Sequence, residues 1–186
     1  MITTERLILR PWCDADAAPF HAMGRDPEVM RFLGPLQTPA ETDAAIARMV
    51  ASQAAHGHCF WAVERLDTAG FIGFCGLKHA PDGIAGLAGD IEIGWRLARP
   101  AWGQGFAREA ATASLDWGFT ALAIDRIIAI TTAGNVRSWG LMERLGMARR
   151  HDLDFDHPAL PAGDPLRPHI TYAIGRPGSE TIAPRP

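Results

Sequence analysis

The segment Trp102-Gly103-Gln104-Gly105-Phe106-Ala107 contains two glycines one residue apart, directly before a long amphipathic stretch. Such a turn is a potential anion site, because the first amides of a helix lack intrahelical acceptors and the helix dipole adds about half a positive charge there. Gly103 and Gly105 let the backbone approach a phosphate with no Cβ in between. A Gly-x-Gly turn is more often only a turn. This one lacks the Gly-Lys-Ser/Thr of a triphosphate loop, and Arg108 occupies the third glycine position of a dinucleotide fingerprint.

A second polar cluster lies at the start of a helix predicted from about 136 to 145 and ended by Gly146. Asn135 is expected to cap this helix by accepting a hydrogen bond from the amide of Ser138. Capping accounts for Asn135, but it does not account for a serine where a capping box would have Glu or Gln.

The third candidate is Glu92, in a strand predicted over residues 91–97. Alternation places Glu92, Gly94 and Arg96 on one face of this strand and apolar side chains on the other. A carboxylate in this position is a general base, a solvated surface group or an ion-pair partner of Arg96, and the sequence leaves the three open.

Histidines offer weaker candidates. His56 and His58 have metal-like spacing but no third ligand nearby, so no metal site is expected. Asp156 and His157 lie in an irregular, proline-rich segment, 152–168, where they either overhang a substrate site or form a surface turn.

The elements that must position these residues are both strands and helices, and the second, third and fourth predicted strands are expected to form a meander. A short, continuously apolar run at Ile127–Thr131 is typical of a central strand buried on both faces. The Gly-, Ala- and Pro-rich segment 80–89 is expected to be a loop between two strands. The other predicted strands are Leu7–Arg10, Phe60–Glu64, Phe71–Leu77, 91–97 and one through Ile170, Tyr172 and Ile174. The other predicted helices are 14–24, a short one capped by Asp26, one with a capping box at Thr38 and Glu41, and 106–122.

Composition limits the class of protein. A chain of 186 residues with 47% hydrophobic residues fits one compact domain, expected over 1–175, followed by a mobile tail over 176–186. The net charge of −3 argues against a nucleic-acid-binding surface driven by bulk charge and leaves a local basic patch open. No apolar run long enough to cross a membrane is present. Three cysteines without a CxxC pair fit neither a disulfide framework nor a zinc site, and small buried thiols are expected at Cys13, Cys59 and Cys75. With no signal segment at the N-terminus, a cytoplasmic location is expected.

Three segments, in this order and spacing, resemble the GNAT superfamily of N-acetyltransferases: Ile91-Glu92-Ile93-Gly94-Trp95, the run from Trp102 to Ala110, and Asn135-x-x-Ser138 continuing to Leu145-Gly146-Met147. Thr4–Arg10 and Asp26–Met30 are similar to the RimJ/RimL branch, which acetylates ribosomal-protein N-termini and related amines. The resemblance covers about residues 3–175. It implies a mixed α+β fold. This fold has a mostly antiparallel central sheet of about six to seven strands, helices on both faces, and a splay between the fourth and fifth predicted strands, with Gly94 at a bulge.

The resemblance also implies acetyl-CoA as cosubstrate and assigns residues to it. The backbone of Trp95, Arg96 and Leu97 would hold the pantetheine arm. The amides of Gly103, Gln104, Gly105, Phe106, Ala107 and Arg108 would bind the pyrophosphate, and Asn135, Ser138 and Met142 would lie near the thioester. Two positions depart from the family pattern: Trp102 stands where many relatives have Gln or Arg, and Met142 stands where some have a tyrosine acid.

The implied reaction is direct attack of a primary amine on the thioester in a ternary complex, with Glu92 as the expected base and Ser138 as the expected acid. The acceptor is a small amine or a protein N-terminus, and the chain is compatible with a homodimer. The alternative is a non-catalytic acyl-CoA sensor that keeps the phosphate turn but has no working base.

Overall fold

The computed structural model describes residues 1–81, 83–84 and 86–178. Contacts between residues divide the chain into two compact units. The first unit comprises Met1–Lys78 and Ile93–Ser114, and the second comprises His79–Glu92 and the chain from Leu115 onward. The expectation of a single domain over 1–175 stays a prediction.

The helices and strands agree closely with the predicted segments. The helices are α1 (Ala17–Gly24), α2 (Pro27–Met30), α3 (Pro39–His56), α4 (Phe106–Ala121) and α5 (Val136–Arg144). The strands are β1 (Ile2–Thr3), β2 (Leu7–Arg10), β3 (Phe60–Arg65), β4 (Phe71–His79), β5 (Ile91–Leu97), β6 (Arg126–Thr132), β7 (Ala148–Arg149), β8 (Phe155–Asp156) and β9 (Pro168–Gly175). All six predicted strands are present. The sheet has nine strands among the described residues because β1, β7 and β8, of two residues each, are too short to show a periodic pattern.

The first unit contains an antiparallel meander in the order β1-β2-β3-β4, with β5 next in line. Alternation in β2 buries Leu7 and Leu9 completely. The predicted caps are present in this unit: the Asp26 carboxylate accepts from the Glu28 amide. Thr38 and Glu41 form the capping box of α3.

The second unit is arranged around β6. Its antiparallel register with β9 comprises seven residue pairs, from Arg126–Gly175 to Thr132–His169, and β7 and β8 add to β9. The parallel register with β5 comprises only Ile91–Ile127 and Glu92–Ile128. A parallel register this short agrees with the splay expected at this position. The fold is therefore mixed α+β with a mostly antiparallel sheet, as predicted.

The loop between β4 and β5 is more than a connector. Ile84 and Leu87 are buried in a core cluster with Ile128, Leu153 and Ala173 of the same unit. The loop ends at Asp90, whose carboxylate accepts a hydrogen bond of 2.9 Å from Nε of Arg126. This buried ion pair joins the entry of β5 to the entry of β6.

One local expectation is wrong. Cys13 is exposed, because it precedes the short helical turn Asp14–Asp16, whose first two residues are exposed. The bulge expected at Gly94 stays a prediction. A Cβ at Gly94 would lie 2.6 Å from Cζ of Phe60, so glycine is required by the close packing of that ring.

At the C-terminus, the guanidinium of Arg176 donates to the backbone carbonyls of Phe119, Leu122 and Ile124. The first residue of the expected tail is therefore bound to the end of α4. Residues 179–186, where the rest of that expectation falls, lie outside the described residues. No helix in the described part of the chain is both long and apolar enough to cross a membrane.

Candidate functional site

The Gly-x-Gly turn has the geometry of an anion cradle. Gly103 and Gly105 have φ angles of +75° and +83°, which favour glycine, and helix α4 begins at the next residue. The first backbone bond at this end of α4 runs from the amide of Glu109 to the carbonyl of Gly105 at 3.0 Å. The amides of Phe106, Ala107 and Arg108 therefore precede the helical hydrogen-bond ladder and are available to an anion.

Trp102 has a structural role in this turn. Its indole N–H donates to the carbonyl of Leu97 at 2.7 Å, which ties the start of the turn to the end of β5. The side chain of Gln104 donates to the carbonyl of Pro100 at 2.7 Å and braces the same segment. Trp102 departs from the family pattern in a side chain that holds the turn in place. The cradle itself is formed by backbone amides, which do not depend on that side chain.

Arg6 also borders the turn, which the sequence did not predict. Its Nη1 donates to the carbonyl of Gln104 at 3.0 Å, and a Cβ on Gly105 would lie 3.3 Å from its Nη2. Because the C=O and N–H of a trans peptide point in opposite directions, this bond turns the amide of Gly105 away from Arg6. The guanidinium carbon lies 4.6 Å from the centre of the Phe106 ring, so a positive charge stands beside the start of α4.

Glu109 holds Arg6 in place. Its carboxylate accepts from Oγ1 of Thr4 at 2.6 Å, from the amide of Arg6 at 2.8 Å and from Nε of Arg6 at 2.7 Å. Partial burial alone would raise the pKa of Glu109, but these hydrogen bonds outweigh it and hold the pKa below its ordinary value. The partners of Glu109 are thus distant in sequence and lie between β1 and β2.

The candidate residues on β5 have different surroundings. Glu92 is buried, with 7% of its surface exposed, and lies in the short parallel register opposite Ile128. Leu97 is buried, while Trp95 and Arg96 are half-buried. The only hydrogen bond that the Arg96 guanidinium makes within the described chain goes from Nη1 to Oε1 of Gln37, at 3.0 Å. Arg96 makes no ion pair with a carboxylate of the described residues. Of the three alternatives for Glu92, the ion pair with Arg96 therefore does not form.

The second cluster differs from its prediction at Asn135. Its side chain does not cap α5; instead Nδ2 donates to Oγ1 of Thr131 at 3.1 Å. The backbone carbonyl of Asn135 accepts from the amide of Ser138 at 3.0 Å, so the main chain satisfies the amide that the side chain was expected to bind. Ser138 is half-buried, and Met142 is 1% exposed on the core side of α5. Tyr172, the chain's only tyrosine, donates to Oε1 of Glu143 at 3.2 Å.

The histidine candidates lie in two pairs of neighbouring rings. His157 and His169 lie with ring centres 5.0 Å apart beside the β8–β9 pairing. The rings of His56 and His58 are 6.0 Å apart. Within the described ranges, no group of three or more His, Cys, Asp or Glu side chains is arranged to hold a metal ion.

Comparison with known proteins relates this arrangement to one family. A family model described as an acetyltransferase (GNAT) domain matches residues 6–148. The Bacillus subtilis protein YkkB is 33% identical over 147 residues, which cover 78% of this chain and 84% of the relative. YoaA of the same organism, described as an N-acetyltransferase, is 32% identical over 152 residues, covering 80% and 83% of the two chains.

The solved structures that this chain resembles include a member of the same family. A GNAT-family acetyltransferase from Bacillus anthracis is similar with a TM-score of 0.77 at 25% identity, over 94% of this chain and 98% of that one. Two further structures share the fold at lower identity. Spermidine N-acetyltransferase from Vibrio cholerae, in complex with CoA and spermine, has a TM-score of 0.70 at 19% identity, over 93% and 97% of the chains. RimL, a ribosomal L7/L12 α-N-protein acetyltransferase in complex with CoA, has a TM-score of 0.73 at 15% identity, over 92% and 95%.

Proposed function

Because the chain belongs to the GNAT acetyltransferase family, we propose that it transfers the acetyl group by direct attack of a primary amine in a ternary complex. The coarser activity follows from the family itself: the protein is an acetyltransferase that uses acetyl-CoA and acts on an amine. Acetyl-CoA supplies an acyl group activated as a thioester. The finer assignment, of acceptor and of residue roles, is our proposal.

The observation that carries this proposal is the glycine turn at the start of α4. Two glycines with positive φ stand before three amides that lie outside the helical ladder, and the Arg6 charge stands beside them. These groups suit a pyrophosphate, since each amide can donate to an anionic oxygen. We propose that the backbone from Gly103 to Arg108 binds the pyrophosphate of CoA. We also propose that the backbone of Trp95, Arg96 and Leu97 binds its pantetheine arm.

Proton transfer is the second part of the proposal. A protein N-terminal amine has a pKa of about 7.7–8.0 and a lysine amine about 10.4, so an acceptor amine must lose a proton at neutral pH before it attacks. We propose Glu92 as the base, because its carboxylate is buried where β5 pairs with β6.

For the acid we propose Ser138, which is half-buried on the first turn of α5. Tyr172 is a poorer candidate because its hydroxyl already donates to Glu143, and burial together with that bond raises its pKa. Asn135 and Met142 are proposed as cofactor contacts by analogy with the family pattern alone.

The acceptor is either a small amine or a protein N-terminus. Relatives of both kinds share the fold: one is named a spermidine N-acetyltransferase and another a ribosomal-protein α-N-acetyltransferase. Their low identity to this chain gives neither precedence, so the RimJ/RimL branch stays a proposal.

The decisive experiment measures thiol release from acetyl-CoA with a panel of polyamines, amino acids, aminoglycosides and peptides with free N-termini. Amine-dependent release, with mass spectrometry identifying the acetylated amine, is the expected result. A thermal shift with CoA alone would be positive for an enzyme and for a sensor, so it does not separate them. CoA binding without release from any amine would favour the sensor.

A further inference from the structure

The guanidinium of Arg96 lies beside two phenylalanine rings of the first unit. Its central carbon lies 5.4 Å from the centre of the Phe74 ring and 5.7 Å from that of Phe20. Phe74 in turn stacks on Phe60 with ring centres 5.2 Å apart. Removal from water lowers the pKa of Arg96 to about 10, which leaves it positively charged at neutral pH.

The charge of Arg96 has no carboxylate partner within the described chain. Other arginines of the same unit do have one: Arg6 pairs with Glu109, and Arg10 pairs with Asp16. The acceptor for Arg96 is the neutral amide oxygen of Gln37, and its Nε is buried without a hydrogen bond to any described residue. Cation–π contacts offset part of the cost of desolvating a guanidinium, but they do not neutralise it.

The free edge of this guanidinium has a definite shape. Gln37 engages Nη1, so Nε and Nη2 remain as two parallel donors on the other edge. Two parallel N–H groups on a planar guanidinium match the two oxygens of a carboxylate. Arg96 is half-buried as a residue, but its Nε is itself buried, so a carboxylate on this edge would meet Nε out of contact with water.

The position of Gln37 is itself constrained. The backbone amide of Gln37 donates to the carbonyl of Gly24 at 3.0 Å. A Cβ at Gly24 would lie 2.7 Å from Oε1 of Gln37. The glycine at the end of α1 therefore makes room for the side chain that orients Arg96. A carboxylate at position 37 would pair with the guanidinium of Arg96 within the chain, whereas Gln37 is uncharged.

We propose that Arg96 is a specificity residue that binds a carboxylate carried by the acceptor amine, so that the preferred acceptors are amino-carboxylate compounds. This proposal rests on the proposed function, because it requires an amine acceptor. It concerns the side chain of Arg96, whereas the proposed cofactor contact at this position is made by its backbone. The carboxylate belongs either to a free amino acid or to an acidic residue near the N-terminus of a peptide.

The test compares ligands that differ only in the carboxylate. One arm uses N-acetyl amino acids and their amides, with aliphatic, aromatic and ω-amino members. The other uses acetylated tripeptide amides with Asp or Asn at the second position. Binding to the CoA-loaded protein is measured by calorimetry, and the Nε–Hε NMR signal of Arg96 is followed with butyrate and with butyramide. These readouts need no turnover, so they are independent of whether the amine panel reveals an acceptor.

We expect the acid of at least one pair to bind about tenfold or more tightly than its amide, as a charge-assisted bidentate contact implies. The arm in which this occurs identifies the source of the carboxylate. The Nε signal should shift with butyrate and not with butyramide. Arg96→Gln should remove the preference, whereas Arg31→Gln, which alters an exposed guanidinium over Phe32, should keep it.

A second variant separates specificity from stability. Gln37→Glu supplies the missing carboxylate internally, so it should raise the melting temperature and still abolish the acid preference. Equal binding of acids and amides in the wild type, together with an unresponsive Nε signal, would overturn the proposal. An unchanged acid preference in Arg96→Gln or Gln37→Glu would also overturn it, and so would a loss of CoA affinity in Arg96→Gln as large as the loss of acid affinity.

Discussion

Glu109 at the start of α4 binds Arg6, 103 residues earlier in the chain, through Oε2, which lies 2.7 Å from Nε and 2.6 Å from Nη2 of the guanidinium. The same carboxylate also binds the side chain of Thr4. Arg6 then donates to the carbonyl of Gln104 in the glycine turn. The carboxylate of Glu109 thus joins residues 4–6, which connect β1 and β2, to the turn that we propose as the pyrophosphate cradle.

Glu109→Gln should lower the free energy of unfolding by about 1–3 kcal/mol, because it removes charge-assisted hydrogen bonds from a carboxylate that is mostly shielded from water. It should also weaken CoA binding, since Arg6 would no longer be held against the turn. Urea unfolding and calorimetry measure the two effects. Glu5→Gln, at an exposed neighbouring position, is the matched control and should change neither.

The stability difference between the wild type and Glu109→Gln should depend on pH. The pKa of Glu109 is held below its ordinary value of 4.5, so the carboxylate stabilises the folded state fully above that pH. The difference should be constant from pH 7 to about pH 5.5 and should shrink as the pH falls through the lowered pKa. A difference that grew on acidification would contradict the hydrogen-bonding account of this carboxylate.

Gly103→Ala tests the cradle without disturbing Arg6, because no atom lies within 4 Å of the added Cβ. The cost to folding should be only about 1–2 kcal/mol, that of a left-handed alanine. Gly163→Ala has a similar φ of +87° and equally open surroundings, so its cost to folding should match. We expect Gly103→Ala alone to weaken CoA binding, by about tenfold or more, through contact with the pyrophosphate. Equal CoA affinities for the two variants would argue against binding at this turn.

Glu92→Gln should reduce turnover by about 100-fold or more, the usual contribution of a general base, and leave CoA affinity unchanged. The deficit should decrease at higher pH, because more of the amine is then deprotonated without help. Rates of thiol release from pH 6 to 9.5 measure this profile, with Glu28→Gln, at an exposed position of α2, as control. Full activity of Glu92→Gln at pH 7 would remove the proposed base.

The cysteines should differ in reactivity with Ellman's reagent. Burial raises the pKa of Cys59 and of Cys75 to about 12, so both stay protonated and inaccessible in the folded protein. Cys13 is exposed. The native wild type should release one equivalent of thionitrobenzoate, Cys13→Ser none, and urea-unfolded wild type three. Two rapid equivalents from the native protein would mean that a second thiol is accessible. Cys13→Ser also removes the background from thiol-release assays.

Local chemistry was sufficient to predict the five α-helices, the six longer strands and the turn. The capping box of Thr38 and Glu41, the alternation of β2 and β5 and the continuous apolar run of β6 each depend on residues a few positions apart. The glycines at 103 and 105 needed only their own backbone freedom to be recognised. At Asn135 the same local reasoning failed, because Thr131 and the main chain competed for the predicted cap.

The sequence by itself therefore determined the helices, the longer strands and the turn that precedes α4, since helix caps, strand alternation and left-handed glycines are properties of neighbouring residues. Its resemblance to a family implied the fold class. Only the tertiary structure decided which distant charges meet. Arg6 finds Glu109 across 103 residues, while Arg96 finds the neutral Gln37 rather than a carboxylate. Such pairings depend on how strands and loops pack, and no periodicity along the chain records them.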